Sequence, residues 1–113
     1  MSVFLVSTYV VKPDKQEEYK EMYRRWLKYK KENPEEAKEL EPKSKRVFTQ
    51  TFGDIYGKYM EIYEFDSMAD YEQFEERASK NKEFSEIFGN QMLCFVPDTV
   101  SNSIWNPVDI STY

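Results

Sequence analysis

Glu61 is the residue of this chain whose surroundings promise chemistry. It interrupts the run Lys58-Tyr59-Met60-Glu61-Ile62-Tyr63-Glu64-Phe65, whose apolar and aromatic residues predict a strand, and it shares an alternation with Tyr59 and Tyr63. If that face is covered, a mid-strand carboxyl between apolar neighbours is at least partly desolvated, and a desolvated carboxyl is a usable general base near neutral pH. Tyr63 would orient whatever Glu61 deprotonates. The rival reading is structural, a glutamate paired with Arg46, Lys58 or a charge on a subunit partner, because ion-pair networks place carboxylates in the same way. Both readings stand on sequence alone.

Around that carboxyl, Tyr9, Tyr63 and Trp105 are candidates to line a pocket for a flat apolar ligand, and Tyr59 joins them on the Glu61 alternation. Ser7, Gln50, Asn102 and Ser103 would supply the few polar contacts such pockets use. The same aromatics serve core and dimer packing equally well, since rings dominate the energetics of both. On the first helix Tyr19, Tyr23 and Trp26 read as core.

The chain has no histidine and a single cysteine, Cys94. The first fact removes the commonest metal ligand and general base, imidazole-held haem, and triads built on an imidazole. The second excludes an intramolecular disulfide, and Cys94 reads as a buried small hydrophobe, with a reactive thiol as the alternative. The acidic groups at Glu17, Glu18 and Glu21, at Glu35, Glu36 and Glu39, and at Glu72, Glu75 and Glu76 read as solvated helix faces. None has the alternating ligands and glycine turn of a calcium loop. Gly53, Gly57 and Gly89 build no phosphate-binding loop. No metal and no cofactor is expected.

One domain must position these groups, because 113 residues suffice for one core and each half would be too small to bury its own. Hydrophobic residues at 40% and aromatics at 17% are too many for a disordered chain, whereas 33% charged residues imply heavily solvated helices. No run approaches the roughly 18 apolar residues of a membrane span, and the opening stretch carries no basic leader. A soluble, cytoplasmic protein without a membrane partner is expected.

Ser2 to Val11 predicts the first strand, stopped by Lys12-Pro13-Asp14. Tyr19, Met22, Tyr23, Trp26 and Leu27 recur at helical spacing and carry a helix to about Asn33, before Pro34. Glu35 to Lys45 is charged and contains Pro42, so a short helical turn and a mobile connector outside the core are expected. Arg46 to Phe52 and Lys58 to Phe65 predict a hairpin joined by the glycine-flanked loop Gly53 to Gly57. Ser67 and Asp70 signal the start of a second helical region, long and bent near Lys80-Asn81, with Phe84, Ile87, Phe88 and Met92 continuing its stripe. Thr99 to Trp105 reads as the last strand, and 106–113 as a tail.

The order β, α, β, β, α, β is the split βαβ pattern of the ferredoxin-like α+β domain, a four-stranded antiparallel sheet with two helical regions on one face. The first strand is apolar on both alternations, with Phe4, Val6 and Val10 on one and Val3, Leu5, Tyr9 and Val11 on the other. A sheet covered on one side should alternate apolar with polar, so a second layer is expected, and another copy of the chain is its natural source. The face bearing Glu61 and Tyr63 is taken as the one shielded by that twin. RNA-recognition modules share this element order and stack bases on strands one and three. Glu61 stands where they carry an aromatic, and a net charge of −5 opposes phosphate, so no nucleic-acid partner is expected.

Two stretches carry a family resemblance. The opening strand followed by Lys12-Pro13-Asp14 and Tyr19 resembles the strand, proline turn and long helix of the dimeric α/β-barrel superfamily, specifically small proteins related to antibiotic-biosynthesis monooxygenases and their NIPSNAP-like cousins. Glu61-Ile62-Tyr63-Glu64-Phe65-Asp66-Ser67-Met68-Ala69-Asp70-Tyr71 resembles their third strand, serine cap and second helix. The resemblance implies a homodimeric α/β barrel of two face-to-face sheets, with a cavity in each subunit. Some relatives oxidise polycyclic aromatics without metal or cofactor, and the histidine that haem-degrading relatives carry on the second helix has no counterpart here. The expected role is binding, and cofactor-free oxidation, of a small aromatic or hydrophobic compound. Glu61 would be the base, Tyr63 and Tyr9 would orient the substrate, Trp105 would stack on it, and oxygen would attack the carbanion. The alternative is a non-catalytic dimerisation domain.

Overall fold

The run VFLVSTY forms strand β1 (Val3–Tyr9) of the computed structural model, which describes residues 2–113 and leaves Met1 outside the described residues. The strand is shorter than the sequence expectation, yet Val11 still bridges to Phe95. Pro13, with its fixed φ and missing N–H, opens a single turn, Pro13–Lys15, that feeds α1 (Gln16–Glu32). Glu17 and Glu18 in the first turn and Lys30 and Lys31 in the last complement the helix dipole. Tyr19 and Trp26 are the buried residues of α1, with Met22 and Tyr23 between them on the same stripe.

Asn33 ends α1 and Pro34 starts α2 (Pro34–Lys38). Here the structure corrects the expectation of a connector outside the core. Ala37 and Leu40 are 2% and 4% exposed and pack with Trp26 and Ile87. A three-residue spacing suffices to turn both inward while the surrounding charges stay in water.

Strand β2 (Ser44–Thr49) begins earlier and ends sooner than Arg46 to Phe52, because its pairing with β3 (Tyr59–Phe65) runs from Ser44 opposite Glu64 to Thr49 opposite Tyr59. Beyond it the chain leaves the ladder, with Phe52 97% exposed in the connecting loop. Gly57 turns that loop at φ +79°, a conformation side chains disfavour. Ser67 Oγ accepts the Asp70 N–H at 3.1 Å and starts α3 (Met68–Lys80). The expected bend is a full break, in which Asn81 ends α3 and caps α4 (Lys82–Phe88) by accepting the Phe84 N–H at 2.8 Å. A short turn, Gln91–Cys94, leads to β4 (Ser101–Trp105).

The sheet has four antiparallel strands in the order β2-β3-β1-β4. The register aligns Ser7 with Glu61 and Asn102, Val47 with Glu61, and Lys45 with Tyr63. Paired residues share a face, so Val3, Leu5, Ser7, Tyr9, Tyr59, Glu61, Tyr63 and Phe65 all point the same way. That face lies under the chain's own helices. The Tyr63 and Phe65 rings meet Phe74 of α3, and Tyr59 meets Tyr19 of α1. The expectation that a twin subunit shields Glu61 and Tyr63 is therefore overturned; the opposite face is the uncovered one. It carries Phe4, Val6, Phe48, Met60, Ile62 and Trp105, of which Phe48, Met60 and Trp105 are exposed. Among the described residues no helix is long and apolar enough to cross a membrane.

Candidate functional site

Two apolar clusters lie beneath the helices. One joins Tyr9, Val11, Tyr19, Cys94 and Phe95, the other Trp26, Ala37, Leu40 and Ile87. Glu61, 8% exposed, is the buried polar residue of the described chain. Its position follows from the strand period, which sends the middle residue of β3 to the helix side, and α1 crosses above it with Tyr23. The Tyr23 hydroxyl donates to Glu61 Oε1.

Lys45 completes the group. It belongs to the exposed edge strand β2, but its ammonium reaches over the rings of Tyr23 and Tyr63, 4.7 and 5.1 Å from their centroids. This is cation–π geometry. Burial lowers the affinity of Lys45 for its proton, partly offset by the Glu61 carboxylate. The Tyr23, Tyr9 and Tyr63 hydroxyls are pushed well above the ordinary phenol range, by burial first and then by the field of Glu61. Tyr19 rises to about 12, again chiefly by burial. Around Glu61 the phenols are thus neutral donors at physiological pH.

These groups open onto a cavity of about 550 Å³ between sheet and helices, within the usual range for small-molecule sites. Trp26, Phe74, Phe84 and Phe88 give it aromatic walls, and Glu61, Tyr23, Tyr63 and Lys45 its polar side. Lys30 and Glu41 pair at its rim. Such a space can hold a flat apolar body while offering one carboxylate, one ammonium and phenolic donors to its polar edge.

The residues singled out from the sequence divide among three places. Glu61 and Tyr63 line the cavity. Ser7, Tyr9, Tyr59 and Asn102 share their sheet face without lining it. Ser7 Oγ donates to Asn102 Oδ1 at 2.6 Å, and Tyr9 stacks between Tyr59 and Phe95 with its hydroxyl bonded to that of Tyr19. Gln50 braces the hairpin loop through Asp54 at 3.0 Å and borders a hollow of about 390 Å³ on the open face. Trp105 stands on that open face too, its indole N–H donating to Ser103 Oγ at 2.7 Å. The structure therefore does not bring Trp105 or Gln50 to Glu61. The argument against RNA drawn from Glu61 also changes, since the carboxylate on the open face is Glu64, held by Ser2 and Ser44.

Sequence reasoning missed Tyr23 and Lys45. Tyr23 sits on the same helical stripe as Tyr19 and Trp26 and carries no separate signal. Lys45 shows itself only once the register opposite Tyr63 is known. Burial pushes the Cys94 thiol up, which suits an inert core cysteine. Among the described residues no cluster of carboxylates and thiol could hold a metal ion.

No family model and no curated protein matches the sequence. Solved structures do match. A NIPSNAP family protein from Agrobacterium tumefaciens str. C58 is 14% identical with a TM-score of 0.73, covering 97% of this chain and 96% of its own. An antibiotic biosynthesis monooxygenase is 11% identical at a TM-score of 0.65, over 95% and 99% of the two chains. A conserved protein from Methanosarcina mazei Go1 is 15% identical at 0.64, over 94% and 92%. At these identities the likeness carries the fold: the chain has the ferredoxin-like α+β architecture of NIPSNAP and monooxygenase-type structures along nearly its whole length. The resemblance read from the strand, proline turn and serine cap is borne out at that level.

Proposed function

We propose that this is a cytoplasmic, homodimeric protein that binds a small aromatic or hydrophobic compound in the helix-side cavity, where Glu61 removes a proton from it. The observation that carries the reading is the burial of Glu61 against an aromatic-walled space of about 550 Å³, with Tyr23 donating to one carboxylate oxygen. An acidic C–H deprotonated there leaves a carbanion that dioxygen can attack. If the carbon carried two hydrogens it ends as a carbonyl, one oxygen atom enters the product, the other leaves as water, and the substrate supplies all the electrons. A monooxygenase of the same fold supports that direction. Turnover of activated aromatic methylene compounds that is unchanged in Glu61→Gln would refute the chemistry.

The dimer is proposed through the open sheet face, where Phe4, Val6, Phe48, Met60, Ile62 and Trp105, with Arg46 and Glu64 among them, have no layer of the described chain above them. Two such faces together would close a barrel. Sedimentation equilibrium should give a dimer, and Val6→Asp should weaken it at least about tenfold, or 1.4 kcal/mol, by placing a charge on the inner strand where its paired neighbours on this face are Ile62 and Ser103. A wild-type monomer at micromolar concentration would end that part of the proposal. The competing assembly-domain reading keeps the dimer and loses the ligand; it predicts that no aromatic fragment enters the cavity in ligand-observed NMR.

A further inference from the structure

The lysines at the cavity mouth are not equivalent. Lys30 pairs with Glu41, and Lys43 lies 3.0 Å from Asp66 and 3.8 Å from Glu64. Lys45, between them on the wall, has no carboxylate within ion-pair distance among the described residues and stands over the faces of Tyr23 and Tyr63 instead. Its strand pairing makes it a diagonal neighbour of Glu61, since Lys45 is opposite Tyr63 and Val47 opposite Glu61. Diagonal neighbours in antiparallel strands are roughly 7–8 Å apart, close enough for one small-molecule oxygen to reach both head groups. The charged or titratable groups around this ammonium are Glu61, Tyr23, Tyr63, Lys30 and Glu41.

We propose that Lys45 is the anion-holding group of the cavity: a ligand that gives its proton to Glu61 keeps its negative charge against the Lys45 ammonium. This rests on the reading of the cavity as a ligand site with Glu61 as base. The step is a proton transfer. The O–H or C–H bond of the ligand breaks, the proton goes to a Glu61 oxygen, and the electron pair stays on the ligand as phenolate or enolate beside the Lys45 ammonium. One negative charge moves from carboxylate to ligand, so the cavity gains no net charge and pays no new desolvation. A permanent carboxylate of the same shape would instead meet the ionised Glu61 and be disfavoured. Lys45 thereby holds the anion through an ammonium whose neighbouring carboxylate, Glu61, gives up its charge in the step.

The probe is 4-nitrophenol, whose anion absorbs visible light, titrated against the wild-type protein, Lys45→Met and Lys45→Arg. The wild type should bind it as the anion below its solution pKa. Lys45→Met should raise the apparent pKa of the bound probe by about one unit, equivalent to about tenfold weaker anion binding, and Lys45→Arg should restore most of it. Lys45 lies on an exposed edge strand, so both variants should keep the wild-type fold, checked by circular dichroism. Nitrophenol bound in neutral form, with Lys45→Met identical to wild type, overturns the role of Lys45 and leaves the cavity as an apolar site. Failure of both nitrophenol and neutral naphthalene to bind overturns the cavity reading with it.

Discussion

Replacing Tyr23 by Phe removes one oxygen from the site and little else. The ring keeps its edge contacts with Tyr19 and Phe88, at 5.2 and 5.8 Å between centroids, so the loss isolates the hydroxyl that donates to Glu61. No buried side-chain polar atom lacks a hydrogen-bond partner among the described residues, and the substitution would create one at Glu61 Oε1. Hydrogen bonds to charged groups are worth about 1.5–3 kcal/mol. Glu61 borders a cavity that water can enter, which favours the lower end, about 1.5 kcal/mol. In a Glu61→Gln background the partner is neutral and the same hydroxyl should be worth only about 0.5–1 kcal/mol, leaving a coupling near 1 kcal/mol. Urea denaturation of wild type, both single variants and the double variant, at one protein concentration, measures this cycle. Tyr23→Phe within about 0.5 kcal/mol of wild type at unchanged m-value, or zero coupling, would show that the Tyr23 hydroxyl does not hold the carboxylate.

Two further predictions follow from packing and titration. Leu40→Ala should cost about 2–5 kcal/mol, because Leu40 is 4% exposed against Trp26, Ala37 and Ile87; a loss under about 1 kcal/mol in urea would return the Glu35–Lys45 segment to the surface. Tyr9, Tyr19, Tyr23 and Tyr63 all titrate above the ordinary 10.0 in the folded chain, Tyr19 at about 12. Groups whose folded pKa is raised add stability that is fully present below pH 10.0 and is lost as pH rises past it, for Tyr19 between 10.0 and about 12. Phenolate absorbance and the loss of near-ultraviolet dichroism should therefore appear together on alkaline titration, and full tyrosine ionisation with dichroism intact would contradict the burial.

The element order was legible because each signal is local. Proline after β1, the three- and four-residue stripe of α1, serine before α3 and the βαββαβ count need no knowledge of distant partners. Which face of the sheet lies under the helices was not legible. Val3 and Leu5 are as apolar as Phe4 and Val6, so alternation could not choose, and the choice is made by where Tyr19, Tyr23 and Phe74 land on the sheet. The same limit hid half of the site. Glu61 announced itself as a carboxylate in an apolar run, whereas Lys45 lay in a charged stretch that resembled solvated connector. Its meaning depends on pairing with Tyr63 across a loop whose length the glycines understated. Trp105 failed to join Glu61 for the complementary reason, a one-residue change of parity on β4.

Glu61 lines the cavity at a place where an apolar residue would serve packing as well. The clusters around Tyr9 and around Trp26 both reach Met22, and an apolar residue at the middle of β3 could pack between them; the sequence places a carboxylate there instead. If Glu61 is structural, it is worth more to the fold than a methionine of similar volume. If it is there for chemistry, the fold bears a cost, since replacing a whole buried ionic group by apolar residues is often neutral or stabilising by about 1–4 kcal/mol, whereas removing one partner leaves the others unpaired. Replacing the group together, Glu61→Met with Tyr23→Phe and Lys45→Met, separates the two. The functional reading expects stability equal to wild type or about 1 kcal/mol higher, because no partner is left unpaired, together with loss of nitrophenolate binding. A loss of more than about 1 kcal/mol with ligand binding intact would make Glu61 a structural partner of Tyr23 and Lys45, and the cavity beside it a consequence of aromatic packing.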